Sequence, residues 1–431
     1  MMKRVFVSGL EKFIGEKVKV KGWIHKINKF GQVCFIHLRD KTGILQLVTD
    51  DEDIINEMKL EMSIEVTGEL IENAKAPTGI EVKIETFKIL GKTYYDLLPF
   101  SINQREVKAS LEKQLDFPFM TLRRPKKRAI FEVQGIICNA FRDFFNQKGF
   151  AEIHTPKILA SGTEGGSELF TVNYFDQRAF LAQSPQFYKQ MMVGAGFEAV
   201  YEVGHAYRAE LHNTWRHLNE YVSLDVEMGF INDEYDLMAL EEDFLKFLFD
   251  QLNKKAVDAL NLLSIDLKPL VEIPRIKLTE AQELILKAYN KKSPYGGLDG
   301  EGEKLICDYV KEKYDSDFVF ITKYPKSKRP MYTMPDDSLD EMTKSFDLLY
   351  KGLEITTGGQ RIHDYHELIE NMKTFDIDPK DFDFYLEAFK YGMPPHGGFA
   401  IGLERMTMQV LDLENIREAC LLPRDMNRLM P

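Results

Sequence analysis

The 431-residue sequence predicts an α+β chain of more than one domain, a small N-terminal β-barrel followed by a larger domain of mixed helices and strands. Residues 17–48 alternate apolar and polar positions and are rich in Val, Ile, Phe and Trp, which is the period-two pattern of half-buried strands. Beyond a stretch where periodicity fades and charge rises, apolar residues recur instead at helical intervals. Domains 1–98 and 127–431, joined by a hinge at 99–126, are expected on these grounds.

The strand run breaks at Gly31 and at Lys41-Thr42-Gly43, and similar runs follow at 62–70 and 80–90, separated by the turn Ala76-Pro77-Thr78-Gly79. About five short strands in roughly 90 residues suggest a small closed barrel, of which the OB-fold is the common oligonucleotide-binding form. From Lys127 to Gly149, Ile130, Val133, Ile137, Phe141 and Phe144 mark one helix face, and Gly149 supplies a stop. A strand is expected next. A second amphipathic helix runs from about Glu234 to Leu252 through Leu237, Leu240, Phe244, Leu245 and Leu248.

Composition narrows the class. No run of about 18 apolar residues is present and the start carries no secretory pattern, so a cytoplasmic protein without membrane attachment is expected. Cys34, Cys138, Cys307 and Cys420 lie far apart, which points to reduced thiols rather than a disulfide framework or zinc cluster. A net charge of −12 argues against a surface that binds nucleic acid everywhere. Local excess tells a different story: the first fifty residues carry ten Lys and Arg against four Asp and Glu, and Arg123, Arg124, Lys126, Lys127 and Arg128 form a second basic cluster. Such runs are also compatible with plain solvated faces.

Three segments combine turn residues with charge inside ordered surroundings: Gly149-Phe150-Ala151-Glu152-Ile153-His154-Thr155-Pro156; Arg208-Ala209-Glu210, with a polar loop to Arg216-His217 and a returning strand from Ser223 to Phe230; and Gly397-Gly398-Phe399-Ala400-Ile401-Gly402-Leu403-Glu404-Arg405. In this order they resemble motifs 1, 2 and 3 of the class II aminoacyl-tRNA synthetases. The resemblance implies a catalytic domain with a mainly antiparallel sheet flanked by helices, and a homodimer through the motif 1 region. It implies ATP as substrate, bound by Arg208, Glu210, Arg216, His217, Leu218, Glu354, Gly402 and Arg405, with Arg208 and Arg405 as the catalytic cations. Fixed cations suit this chemistry, because a carboxylate must approach the α-phosphate of ATP while pyrophosphate departs with more negative charge. Mg2+ is implied at Asp347 and Glu354, with Thr357; two carboxylates seven residues apart suit adjacent antiparallel strands, and magnesium prefers a few hard oxygens plus phosphates.

The segments Gln183-Ser184-Pro185-Gln186-Phe187-Tyr188-Lys189-Gln190 and Gly358-Gly359-Gln360-Arg361-Ile362-His363 resemble the aspartyl branch of class IIb, in its shorter archaeal type. That likeness implies L-aspartate binding by Glu164, Gln186, Lys189, Arg208, Asp225, Thr357 and Arg361, with Lys189 and Arg361 on the side-chain carboxylate and Asp225 and Gln186 on the α-amino group. An uncharged asparagine side chain would leave both cations without an anion. Two departures stand out: Leu211 replaces a frequent glutamate, and Thr357 replaces a frequent serine while keeping the hydroxyl.

In the barrel, Phe35 and Gln46 match the positions that meet the middle anticodon base in relatives. An exposed ring there would stack for about 1 to 3 kcal/mol per base, whereas a buried Phe35 would be ordinary core. His25 and Pro77 stand where relatives confined to tRNA(Asp) have tryptophan and lysine, so the likeness implies an enzyme that charges tRNA(Asn) as well as tRNA(Asp). A tRNA(Asp)-only enzyme, an asparaginyl-tRNA synthetase, a tRNA-independent ligase of this fold and an inactive RNA-binding paralogue remain as alternatives.

Overall fold

Alternation in the first ninety residues closes a barrel. In a computed structural model, which describes residues 2–95, 97–104, 106–162, 168–212 and 214–431, strands β1 (Lys17–Phe30), β2 (Val33–Arg39), β3 (Ile44–Thr49), β4 (Ser63–Glu72) and β5 (Ile80–Gly91) pair in the order β1-β2-β3-β5-β4 and close on themselves. All pairs are antiparallel except β3 with β5. Period two sets the interior: Cys34, Ile36, Leu38, Leu45, Leu47, Ile64 and Val66 have no solvent exposure, each burial of a Leu or Ile contributing about 1.5–3 kcal/mol.

Two compact units meet in sequence at Met120 and Thr121. The segment 99–126, expected as a hinge, holds ordered structure. It forms helices Leu111–Asp116 and Pro118–Thr121, and Phe100, Ile102 and Met120 are buried together. Their irregular spacing is why no period revealed them.

In the larger unit, helix Pro125–Gln147 starts with proline at its first turn, where the missing N–H costs nothing. Gly149, at φ +82°, turns the chain out of it into β6 (Ala151–Glu152). Strands β7 (Ile158–Leu159), β8 (Thr171–Tyr174) and β9 (Gln177–Leu181) make a small separate sheet. The main sheet adds β10 (Ala199–Tyr207), β11 (Glu220–Gly229), β12 (Arg275–Lys277), β13 (Phe318–Thr322), β14 (Ser345–Tyr350), β15 (Leu353–Arg361) and β16 (His396–Gly402) in the order β12-β13-β14-β15-β16-β11-β10-β6. Only the outermost pairs, β12 with β13 and β10 with β6, are parallel. Helices Pro125–Gln147 and Glu234–Lys255 cover one face, where Leu224, Val226, Phe346, Leu348, Phe399 and Ile401 pack with Phe141, Phe145 and Phe244.

Candidate functional site

Neighbouring residues on a strand point to opposite sides, so register decides which side chains can meet. Asp225 and Glu227 on β11 oppose Ala400 and Gly398 on β16; these oppose Thr357 and Gly359 on β15, and Thr357 opposes Asp347 on β14. All therefore share the face turned away from Val226, Phe399 and Leu348 in the core. Glu354 joins them through an irregularity. Thr356 opposes Leu348 while Glu354 opposes Leu349, which leaves Ile355 as an extra residue whose insertion changes the parity of β15. Gly398 lets β11 approach closely: a Cβ there would lie 2.0 Å from the Val226 carbonyl oxygen and 2.3 Å from Glu227 Oε2.

At one end of this face lies a buried charge cluster. Lys189, on helix Gln186–Met192, donates to Asp225 Oδ1 at 3.0 Å and to the Val226 carbonyl at 3.2 Å, and its Nζ lies 3.3 Å from Glu227 Oε2. Arg361 lies 3.5 Å from Glu227 Oε1 through Nε, donates through Nη2 to Gln186 Oε1 and the Gly398 carbonyl, and stands over the Tyr332 ring at 5.2 Å. With Lys189 2% and Glu227 0% exposed, pairing is what makes their charges tolerable. Asp225, expected at an amino group, here faces the lysine ammonium.

Beside it, a cavity of about 150 Å³ is lined by Arg208, Glu210, Arg216, His217, Leu218, Glu354, Thr357, Gly402 and Arg405. The fold thus brings together every residue expected at ATP. Arg405 donates from Nη1 to the Glu354 carbonyl at 2.9 Å and to its Oε1 at 3.3 Å, and Arg216 reaches Glu303 Oε2 at 2.9 Å. Burial, then Arg405 and Arg216, pull His217 down to about 4, so its ring is neutral at physiological pH. Leu218 is buried with Leu353 and Met408, so its side chain serves the core.

An adjoining cavity of about 220 Å³, sharing Glu354, is lined by Glu303, Arg329 and Asp347. Burial and the nearby Glu354 hold the Asp347 carboxyl above the usual range against the opposing pull of Arg329, which lies 2.8 Å from Oδ1 and stacks 3.8 Å from the Tyr324 ring centre. Two carboxylates close enough to repel fit a magnesium ion that completes its shell with phosphate oxygens. Among the described residues no group of three or more His, Cys, Asp or Glu could hold a metal by itself.

On the barrel, Phe35 opposes Val48 and His37 opposes Gln46, which places them together on the outer face. Phe35 is half-buried rather than core, its ring 6.1 Å edge-to-face from the exposed Phe30. Gln46 is buried and donates to Glu81 Oε2 at 2.7 Å. His25 occupies a register shift in β1 between Ile24 and Lys26, and Pro77 is exposed in the β4–β5 turn. Glu164 lies outside the described residues. Three participants escaped the sequence reading: Glu227, Glu303 and Arg329. Glu227 alone left a signal, since it follows Asp225 by two on a strand and must share its face.

Comparison with known proteins spans the whole chain. Residues 110–426 match the family model of class II tRNA synthetases (D, K and N), and residues 18–90 match that of the OB-fold nucleic acid binding domain. The aspartate–tRNA(Asp/Asn) ligase of Aeropyrum pernix is 46% identical over 100% of both chains, and that of Thermus thermophilus is 46% identical over 99% of this chain and 100% of its own. The aspartate–tRNA(Asp) ligase of Thermococcus kodakarensis is 42% identical over 98% of each. Among solved structures, the asparaginyl-tRNA synthetase of Pyrococcus horikoshii with asparaginyl-adenylate superposes with a TM-score of 0.91 at 30% identity, covering 100% of both chains. A putative aspartyl-tRNA synthetase from Leishmania major gives 0.91 at 29%, covering 100% of this chain and 95% of its own.

Proposed function

The chain belongs to the class II tRNA synthetases of the D, K and N group, and on that premise we propose that it activates L-aspartate with ATP and transfers it to tRNA(Asp) and also to tRNA(Asn). The observation that carries aspartate over asparagine is the dry pair Lys189 and Arg361, between which the Glu227 carboxylate already lies. Fold alone does not decide, since an asparaginyl enzyme superposes as well as an aspartyl one. Charge does. Glu227 and Asp225 hold the ammonium and guanidinium in place, and a planar guanidinium such as that of Arg361 is suited to receive the substrate's side-chain carboxylate in two-pronged fashion.

The α-carboxylate oxygen of aspartate then attacks the α-phosphorus of ATP, and the bond to pyrophosphate breaks. Arg208 lies against the α-phosphate, Arg405 against the nucleotide, and neutral His217 with Arg216 meets the outer phosphates, while Glu210 accepts from the adenine amino group. Such preorganised donors stabilise the charge that develops. A magnesium ion held by Asp347 and Glu354, with the Thr357 hydroxyl nearby, would supply positive charge to the departing pyrophosphate. The ribose hydroxyl at the tRNA terminus afterwards attacks the carbonyl carbon of the adenylate, an ester forms as the bond to the phosphate oxygen breaks, and AMP departs. Phe35 and Gln46 read the middle anticodon base and His25 and Pro77 the third; motif 1, at 149–156, joins two copies into a dimer.

Charging of pure, unmodified tRNA(Asp) and tRNA(Asn) transcripts with labelled aspartate tests this reading. Product on both is expected. Product on tRNA(Asp) alone would remove the dual specificity, and product on neither would remove the function.

A further inference from the structure

His25 is held by an ion pair that fixes where its proton sits. Arg39 Nη1 lies 2.7 Å from His25 Nδ1, and the same guanidinium forks onto Glu61, with Nη1 3.1 Å from Oε1 and Nη2 2.7 Å from Oε2. Side chains of Arg39 and Glu61 are 4% and 3% exposed, so this pair is rigid and dry, while the imidazole keeps 13% exposure. Asn103 Nδ2 donates to the His25 carbonyl at 3.3 Å and ties down the backbone where the strand register shifts. A guanidinium has only donors, so Nδ1 must accept. Burial, followed by the charge of Arg39, lowers His25 to about 4, which keeps the ring neutral at pH 7. Its single proton therefore resides on Nε2.

We propose that Arg39, clamped by Glu61, is a positioning residue that locks His25 as an Nε2–H donor, and that this donor reads the O2 atom of the pyrimidine at the third anticodon position. The inference rests on the anticodon role given to the barrel above. Aspartate codons begin with G and asparagine codons with A, so the third anticodon base is cytosine in one tRNA and uracil in the other. At N3 and C4 these bases exchange donors and acceptors, but both present an O2 acceptor. A fixed donor aimed at O2 accepts either base and rejects neither, which gives dual specificity a physical cause.

The test uses the full chain and transcripts carrying cytosine, uracil, 2-thiocytosine or 2-thiouracil at that position, with aspartylation KM and kcat measured for each. Sulfur is a poor acceptor, so loss of one neutral hydrogen bond should raise KM about five- to tenfold for both thio bases with kcat little changed. His25→Ala should abolish this sensitivity. So should the double variant Arg39→Met with Glu61→Leu, which removes the pair without stranding a buried charge and leaves His25 free to change tautomer. Equal KM for oxygen and sulfur bases with the unaltered protein would overturn the proposal, as would full thio sensitivity in the double variant. If uracil transcripts fail while thio substitution still weakens the cytosine transcript, dual specificity falls and the O2 contact stands.

Discussion

Lys189 and Arg361 are each engaged with buried carboxylates, so substitution there has two separable consequences. Lys189→Met takes the ammonium partner from buried Asp225 and leaves Glu227 to Arg361 and Gln186, which should cost about 3–5 kcal/mol of stability. Aspartate-dependent exchange should fall at least about a hundredfold, as when a buried charge loses its partner. Arg361→Lys keeps the charge but loses the planar fork, so KM for aspartate should rise about tenfold with kcat less affected. Steady-state exchange kinetics and thermal melts read both; an unchanged KM in Arg361→Lys would count against the two-pronged contact. At this scale the cations were legible in sequence because they sit in recognisable segments. Their buried counterions were not. Glu227, Arg329 and Glu61 acquire meaning only when strands and turns distant in sequence are brought together.

Between elements, β11 and β16 approach so closely at Gly398 that no side chain fits. Gly398→Ala would press on the Val226 backbone and on the Glu227 carboxylate together, moving the group that orients Lys189 and Arg361. A loss of about 1–3 kcal/mol and an exchange rate lowered at least about tenfold are expected, whereas a substitution acting only through packing would lower the melting temperature and spare the rate. Strands and long helices were legible here, since periods of two and 3.6 mark them along the chain. What stayed hidden was the extra residue in β15 at Ile355, which places Glu354 on the same side as Asp347. Spacing of seven suggested the pair of carboxylates, but a bulge is set by cross-strand fit and has no one-dimensional signature. The helices of 99–126 were hidden for a related reason: each is too short to complete a repeat.

Across the molecule, buried titratable groups make stability depend on pH in opposite directions. His396 is fully buried, donates from Nδ1 to the Pro394 carbonyl, accepts at Nε2 from Gln190, and is lowered to about 4, chiefly by burial. The unfolded chain takes up a proton near pH 6.5 that the folded chain refuses until about 4. Its contribution is therefore complete above about 6.5 and is lost as pH falls toward 4, on the order of 3 kcal/mol in all. Burial lifts Glu404 to about 8 while the Val222 N–H donates to it, and the sign reverses. Here the unfolded chain sheds its proton near 4.5 and the folded chain keeps it to about 8, so stability drops as pH rises through that window. Urea unfolding from pH 4 to 8 should show His396→Gln gaining on the unaltered protein toward acid, and Glu404→Gln gaining toward alkali; parallel curves would contradict both assignments. The two-part architecture was readable from sequence, with the change of period between them, though the larger unit begins at Thr121. No helix among the described residues is long and apolar enough to cross a membrane.

Selection of a second carboxylate by Lys189 and Arg361 is tested most directly by ATP–pyrophosphate exchange with L-aspartate and L-asparagine side by side. Exchange with aspartate is expected to exceed that with asparagine by about 10⁴-fold in kcat/KM, the margin typical of a site built around charged hydrogen-bonding groups that an uncharged side chain engages less well. Equal exchange, or faster exchange with asparagine, would contradict the account.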